Sequence, residues 1–98
     1  MNPDGLANAA RLRALVRQGR GYRHVDVRVH GEHLVVELLR DREREPIARA
    51  TRLDARTYGL SFRSHTGKWE KMPITGNLEE IARALTEELG SYLDPANL

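Results

Sequence analysis

The residues of this sequence that are best suited to chemistry are cations close to aromatic rings. They fall in two segments and are Arg11, Arg17, Arg20, Arg23, Tyr58, Arg63, Lys68, Trp69 and Lys71. Arginine and lysine neutralise phosphates, and aromatic rings stack on bases. The pattern therefore predicts a small non-enzymatic protein that binds single-stranded DNA or RNA. The alternative, in which the rings belong to the core and the arginines are simply solvated, stays open.

A second set of polar residues combines imidazoles with carboxylates. If residues 24–40 form a β-hairpin, one of its faces carries Asp26, His30, His33 and Glu37. Side chains of these types bind zinc or nickel. Their spacing matches no metal-binding motif, and histidines that flank an exposed turn are common. We therefore predict no metal site and no cofactor.

Serine, histidine and glycine residues offer little support for catalysis. Ser61, Ser64 and His65 are close in sequence, but a strand turns neighbouring side chains to opposite faces, and no third group orients them. Gly19 and Gly21 precede a predicted strand, whereas a phosphate-binding loop precedes a helix. An enzyme is therefore the less favoured alternative.

Composition narrows the class of protein. The 98 residues correspond to one domain, residues 1–98, and contain no cysteine, which excludes disulfides and thiolate metal sites. The N-terminus lacks the apolar core of a signal peptide, and no apolar run reaches transmembrane length. We therefore expect a cytoplasmic location and no association with membranes.

Charge is divided unevenly between the two ends of the chain. Residues 1–23 carry five arginines and one aspartate, whereas residues 77–98 carry one arginine and five acidic residues. The ends are complementary in sign. They either pack together, within one chain or between two chains, or are ordinary solvated helix faces.

The spacing of apolar residues predicts an amphipathic helix at the C-terminal end. Asn77 suits its N-cap, Glu80 completes a capping box, and Gly90 followed by Pro95 marks its exit. The apolar face consists of Leu78, Ile81, Ala82, Leu85, Leu89 and Tyr92 or Leu93.

A looser apolar stripe predicts a helix at the N-terminal end. Asn2 and Pro3 suit its first turn, and the stripe runs up to Gly19. Its apolar positions are Leu6, Ala9, Leu12, Leu15 and Val16.

Alternating apolar residues between the helices predict an antiparallel sheet. With Gly31 in the first position of a type II′ turn, one hairpin face is apolar. The predicted register pairs Val29 with Leu34, Val27 with Val36 and Val25 with Leu38.

The rest of the sheet is predicted from shorter patterns. Residues 40–46 alternate in charge and predict an exposed turn, and strands are predicted over 47–53, 58–63 and 68–72, the last followed by a break at Pro73 and Gly76. The predicted fold class is α+β: an N-terminal helix, an antiparallel sheet of four or five strands and a C-terminal amphipathic helix, with both helices on one face. Val35 and Leu39 would point to the other face, which predicts a homodimer that buries it.

Two short runs in the second half resemble parts of the ribosome-inactivating proteins, the rRNA N-glycosidases of plants and bacteria. YGLSFR at residues 58–63 is similar to that family's strand with an active-site tyrosine, and ITGNL at 74–78 is similar to its later Gly-Asn-Tyr turn. With the order of elements, the resemblance covers residues 6–90 and implies that Tyr58 stacks on a base. Leu78 stands where the family has a second tyrosine, and the family's later catalytic Glu and Arg have no counterpart. Glycosidase activity is therefore not expected.

Two further hypotheses concern the class of function. The predicted order of strands and C-terminal helix is similar to small dimeric domains that bind single strands. The rival is a protein-interaction module, such as an inhibitor or adaptor from a mobile element, which binds no nucleic acid. That rival requires an exposed apolar patch of several hundred Å².

Overall fold

The computed structural model describes residues 4–20 and 24–88 and arranges them as two helices over one sheet. In chain order the elements are α1 (Gly5–Arg20), β1 (Val25–His30), β2 (His33–Arg40), β3 (Glu43–Arg52), β4 (Tyr58–Arg63), β5 (Trp69–Gly76) and α2 (Leu78–Glu88). This is the α+β fold that the sequence predicted, with five strands in the sheet. Within the described ranges, no helix is both long and apolar enough to cross a membrane.

The sheet is an antiparallel meander in which the strands lie in the order β1-β2-β3-β4-β5. β1 and β2 pair in the predicted register, with Val29 opposite Leu34 and Val27 opposite Val36. The φ of Gly31 is 60°, as the first central residue of a type II′ turn requires. The turn therefore fixes which face of the hairpin is apolar.

Both helices cover the same face of the sheet, as predicted, and they also pack against each other. Leu12 of α1 and Leu85 of α2 are fully buried in the core between the layers. An ion pair joins Arg11 of α1 to Glu79 of α2. At this pair, the basic and acidic ends of the sequence meet side by side within one chain.

The predicted apolar stripe of α1 is wrong at its first position. Leu6 is 80 % exposed, whereas Gly5 is buried. Gly5, Ala9, Leu12 and Val16 recur every three or four residues, so one face of the helix turns these positions toward the sheet. The predicted helix start at residues 2–3 lies outside the described residues.

The capping box that the sequence predicted for α2 is present. The backbone amide of Glu80 donates to Oδ1 of Asn77 at 2.9 Å, and the amide of Asn77 donates to Oε1 of Glu80 at 3.1 Å. Two N–H groups of the first turn therefore have partners. The predicted helix exit and the apolar positions at 89–95 lie outside the described residues.

The prediction of an exposed turn over residues 40–46 is wrong, because β3 begins at Glu43. Asp41 has a φ of 51°, and a two-residue turn at 41–42 joins β2 directly to β3. An aspartate tolerates this left-handed conformation better than most residues. The alternating charges beyond the turn are therefore strand residues.

A one-residue bulge follows in β3. Val36 lies opposite Ala48, but the next residue, Glu37, lies opposite Pro46, which leaves Ile47 without a cross-strand partner. A bulge shifts the alternation of side chains by one residue. Before the bulge, Arg44 therefore turns to the face that the helices leave open.

The predicted strand end at Met72 is also wrong, because β5 continues to Gly76. Pro73 interrupts neither the strand nor the sheet. β5 is an edge strand whose register with β4 is irregular at this point, so the missing N–H of proline costs no inner hydrogen bond.

The other edge of the sheet, along β1, is covered by two arginines from α1. Nη2 of Arg13 donates to the carbonyl oxygen of Val27 at 2.7 Å, and Nε of Arg17 donates to the carbonyl oxygen of Val25 at 2.8 Å. Carbonyls of an edge strand otherwise attract the strand of another molecule. These arginines therefore have a structural partner within the chain.

Candidate nucleic-acid interface

The face of the sheet opposite the helices, called the open face below, carries a row of cations across the strands. The registers place Arg28, Val35, Arg49, Ser61 and Lys71 side by side, one from each strand. The cations come from β1, β3 and β5, so roughly 10 Å separates neighbouring cations at the backbone. The residues between them, Val35 and Ser61, are each 5 % exposed. The result is a line of positive charge perpendicular to the strands.

Trp69 lies at one end of this face with two guanidinium groups near its ring. The Cζ atoms of Arg49 and Arg63 lie 4.6 Å and 5.9 Å from the ring centroid. A cation within about 6 Å of an indole ring is attracted to its π electrons. Neither arginine, nor Lys71, forms an ion pair with a carboxylate of the described residues. Their charges are therefore not neutralised by the fold.

Two carboxylates occupy the other part of the open face, and both are already paired. Oε1 of Glu37 lies 3.4 Å from Nε of Arg28 and 3.5 Å from Nη1 of Arg44. Asp26 accepts hydrogen bonds of 2.6 Å from both Arg13 and Arg44. The negative charge on this face is therefore concentrated against arginines around β1, away from Trp69.

The hydrogen bonds of Asp26 dominate its titration. Partial burial alone would raise the pKa of Asp26, but hydrogen bonds from the Arg44 side chain, the Val27 amide and the Arg13 side chain lower it to about 2. Arg44 in turn has a raised pKa, chiefly because of its hydrogen bond to Asp26. Asp26 and Arg44 therefore stay ionised at neutral pH. Their ion pair stabilises the arrangement of β1, β2 and β3.

A cavity of about 220 Å³ opens between the hairpin and Trp69. Its lining consists of Arg28, His30, His33, Val35, Pro46, Arg49, Arg63 and Trp69. The lining contains three arginines, two histidines and no carboxylate. Such a cavity favours an anion, because the positive charges that surround it repel one another when it is empty.

The electrostatics of His33 reflect this positive environment. Partial burial lowers the pKa of His33, and the nearby charges of Arg49 and His30 lower it further, whereas Glu32 opposes them. Nδ1 of His33 lies 2.8 Å from Oγ1 of Thr51, which holds the ring in place. His33 is therefore neutral at neutral pH and fixed in orientation beside Arg49.

The structure brings three of the predicted site residues together on the open face. Arg63 and Trp69 are cross-strand partners, and Lys71 follows on the same strand and face as Trp69. Lys68 is exposed in the turn that precedes Trp69. Arg63, Trp69 and Lys71 therefore form one continuous part of the surface, and Lys68 immediately precedes it in the chain.

The remaining predicted residues lie elsewhere. Tyr58 is 3 % exposed on the helix-covered face, and its hydroxyl accepts a hydrogen bond of 2.9 Å from Nδ2 of Asn8. Burial raises its pKa. A ring in this position has no face free for a base. Arg11 pairs with Glu79 beside α2, away from the open face.

Arg17, also among the predicted residues, covers the edge of β1 as described above. Arg20 is the last residue of α1, and its side chain, like the whole of Arg23, lies outside the described part of the structure. No contact among the described residues therefore places the N-terminal cations beside Trp69.

Arg49 and Arg28 lie on the open face but were not predicted as site residues. Arg28 lies on β1 and Trp69 on β5, four strands away, so no local pattern relates the two residues. The available signal was alternation: Arg49 separates Ala48 from Ala50, so it must face away from the core. A single polar residue between two buried alanines is thus the sequence feature that predicts a side chain on the open face.

The open face is less apolar than the sequence suggested. Val35, which motivated the prediction of a homodimer, is already buried within one chain, beneath the cavity between Arg28 and Arg49. Long arginine side chains cover apolar surface in this way while their charged ends stay in water. The large exposed apolar side chains among the described residues are Leu6 and Leu53.

Comparison of the chain with protein-family models, curated proteins and solved structures finds no match. The similarity of residues 6–90 to ribosome-inactivating proteins thus stays a prediction. Among the described residues, no group of three or more His, Asp or Glu side chains is placed to hold a metal ion.

Proposed function

We propose that this protein binds single-stranded nucleic acid across the open face of its sheet. The observation that carries the proposal is the Trp69 ring flanked by Arg49 and Arg63, with Lys71 next on the same face; these three cations form no ion pair with a carboxylate of the described residues. Charge attracts phosphates, and the indole provides a surface on which a base stacks. Function therefore rests on Arg49, Arg63, Trp69 and Lys71.

The proposal favours a single strand over a duplex for a geometric reason. The cations and the ring share one sheet surface, and both described helices pack on the opposite face, so neither helix is placed to enter a groove from this surface. Bases in a duplex are stacked on each other, so Trp69 has access to a base only where the strand is single.

The test is fluorescence anisotropy with labelled single-stranded DNA, single-stranded RNA and duplex at low and high salt. We expect single strands to bind more tightly than the duplex and to weaken steeply with salt, because phosphate contacts release counterions. Arg49→Gln should weaken binding and reduce the salt dependence. Arg83→Gln is the matched control, because it removes one exposed arginine from α2, on the other side of the molecule.

Two outcomes would overturn the proposal. One is the absence of single-strand binding at low salt, where a phosphate-binding face is strongest. The other is equal weakening by Arg49→Gln and Arg83→Gln, which would show that net charge alone drives binding. In the first case the protein-interaction module becomes the leading hypothesis, and capture of a protein partner by the purified chain is the next experiment.

The proposal also concerns the location of the protein in the cell and its oligomeric state. We place the protein in the cytoplasm, where nucleic acid is available and a chain without cysteine needs no oxidising compartment. A homodimer that left the open face exposed would present two cation rows to one strand. Sedimentation of the protein alone and with a single strand measures whether two copies assemble.

A further inference from the structure

The cavity between the β1–β2 hairpin and Trp69 has features that a general phosphate-binding surface does not need. An internal phosphodiester carries one negative charge, and the row of Arg28, Arg49 and Lys71 is sufficient to attract a chain of them. The cavity, in contrast, concentrates three arginines and two histidines around about 220 Å³. This density of donors fits a group with more charge and more oxygens.

Arg49 supplies an unused donor at this cavity. Its Nε is buried and donates a hydrogen bond to no acceptor of the described residues. Leaving such a group unpaired costs free energy, and a ligand oxygen in the cavity gains a charge-assisted hydrogen bond from the same guanidinium. The guanidinium of Arg49 is held by its stacking on Trp69, so the donor is fixed in advance.

His30 and His33 also line the cavity and add the N–H groups of their imidazole rings. The two residues are cross-strand partners at the end of the hairpin. When the Thr51 hydroxyl donates to Nδ1 of His33, the proton of the neutral ring lies on Nε2, which is then available to a ligand. The cavity lining therefore combines arginine and histidine hydrogen-bond donors with an aromatic ring.

We propose that this cavity binds a terminal phosphomonoester, the phosphate at the end of a nucleic-acid strand whose end base stacks on Trp69. A phosphomonoester has three terminal oxygens and between one and two negative charges at neutral pH, whereas an internal diester has two oxygens and one charge. Arg49, His30 and His33 bind the phosphate, and Arg63, which forms no ion pair with a described carboxylate, balances its second charge. The proposal rests on the proposed function, because the rest of the strand follows the cation row.

The experiment compares one short oligothymidylate in three forms, with a 5′-phosphate, with a 3′-phosphate and with neither, each carrying an internal label. We expect one phosphorylated form to bind at least about tenfold more tightly than the unphosphorylated form. The double variant His30→Gln/His33→Gln should lose this preference and retain the affinity for the unphosphorylated strand. Lys71→Gln, the control, should weaken all three forms by a similar factor.

The outcomes separate this inference from the proposed function. Equal affinity for all three forms overturns the terminal site and leaves single-strand binding standing. Binding of none of them overturns both. A nucleoside monophosphate that binds as tightly as the phosphorylated strand would show that the ligand is a free nucleotide, and the strand-end proposal would fail. Circular dichroism of the double variant establishes that any lost preference is not lost folding.

Discussion

The guanidinium carbon of Arg49 lies 4.6 Å from the centroid of the Trp69 ring, and the two residues belong to strands that are separated by β4. The contact joins the centre of the cation row to the edge of the sheet. A guanidinium at this distance is attracted to the π electrons of the ring, so the contact favours one arrangement of the two side chains.

The first prediction concerns the ring itself. Trp69 is the sole tryptophan of the chain, so its emission reports on this site alone. We expect a single strand to quench that emission as a base stacks on the indole. Trp69→Ala should weaken binding by about 1–3 kcal/mol, the usual contribution of one stacked base. Trp69→Phe, which keeps a smaller ring, should fall between; equal affinities of the three proteins would show that no base stacks there.

The second prediction separates Tyr58 from the binding surface. Tyr58→Phe removes the acceptor of the Asn8 side chain and should lower the free energy of unfolding by about 1 kcal/mol. The affinity for nucleic acid should not change, because the ring lies in the core. Urea unfolding and anisotropy measure the two quantities. Weaker binding with unchanged stability would instead identify Tyr58 as a contact residue, as the resemblance to ribosome-inactivating proteins implies.

The third prediction is a loss of stability in acid. The pKa of Asp26 falls from 3.8 to about 2 on folding, so its carboxylate stabilises the fold fully only above the unfolded value. The contribution, about 2 kcal/mol, is lost as the pH falls from about 4 to 2. Asp26→Asn should be less stable than the wild type at pH 5 and nearly equal to it at pH 2.

Asp41→Asn is the control for this measurement. Its carboxylate is exposed in the β2–β3 turn and forms no ion pair with a described residue, and asparagine tolerates the same positive φ. Urea unfolding across the pH range should leave this variant parallel to the wild type. If the two aspartate variants behave alike, the network of Asp26, Arg13 and Arg44 does not stabilise the fold.

The fourth prediction concerns the start of α2. Asn77→Ala removes the acceptor of the Glu80 amide and should cost about 1 kcal/mol. Asn77→Asp and Asn77→Ser keep an acceptor and should cost much less.

Gly76→Ala should also destabilise the protein. The added Cβ would come within 2.8 Å of Glu80 Cβ and displace the other half of the capping box. Thermal unfolding of the four variants tests this order.

Much of the fold followed from the sequence because local signals were sufficient. The hairpin register followed from Gly31 and from the alternation of valine and leucine, and the start of α2 followed from Asn77 and Glu80. Each of these features depends on residues that are close in the chain. The residue types at turns and the spacing of apolar side chains are therefore sufficient to predict them.

The errors arose where a backbone irregularity overrode the pattern. Residues 43–46 were predicted as a turn because their charges suggested solvent, but the bulge at Ile47 lets Arg44 reach Asp26 and Glu37 across the sheet. β5 passes through Pro73 because it is an edge strand, and edge position depends on the whole topology. Leu6 fits the spacing of the apolar residues in α1, but the buried position at the start of the helix is Gly5.

The candidate site was only partly predictable for a related reason. Residues 63–71 are close in sequence, and the analysis placed Arg63, Lys68, Trp69 and Lys71 in one site. Arg49 and Arg28 reach the same surface through pairings between strands, which no local pattern reports. The N-terminal arginines were grouped with them on charge alone, although Arg17 bonds to the backbone of β1.

The meander has a consequence for how the chain folds. Each strand pairs only with its neighbours in sequence, so the sheet can assemble hairpin by hairpin with short loops to close. The contacts that span the chain are those of α1, where Asn8 meets Tyr58 and Arg11 meets Glu79. Closing these long loops costs the most chain entropy, so we place the docking of α1 late in folding. If α1 docks after the transition state, Asn8→Ala should accelerate unfolding and leave the folding rate almost unchanged. Stopped-flow measurements give both rates. A slower folding rate would instead show that α1 belongs to the folding nucleus.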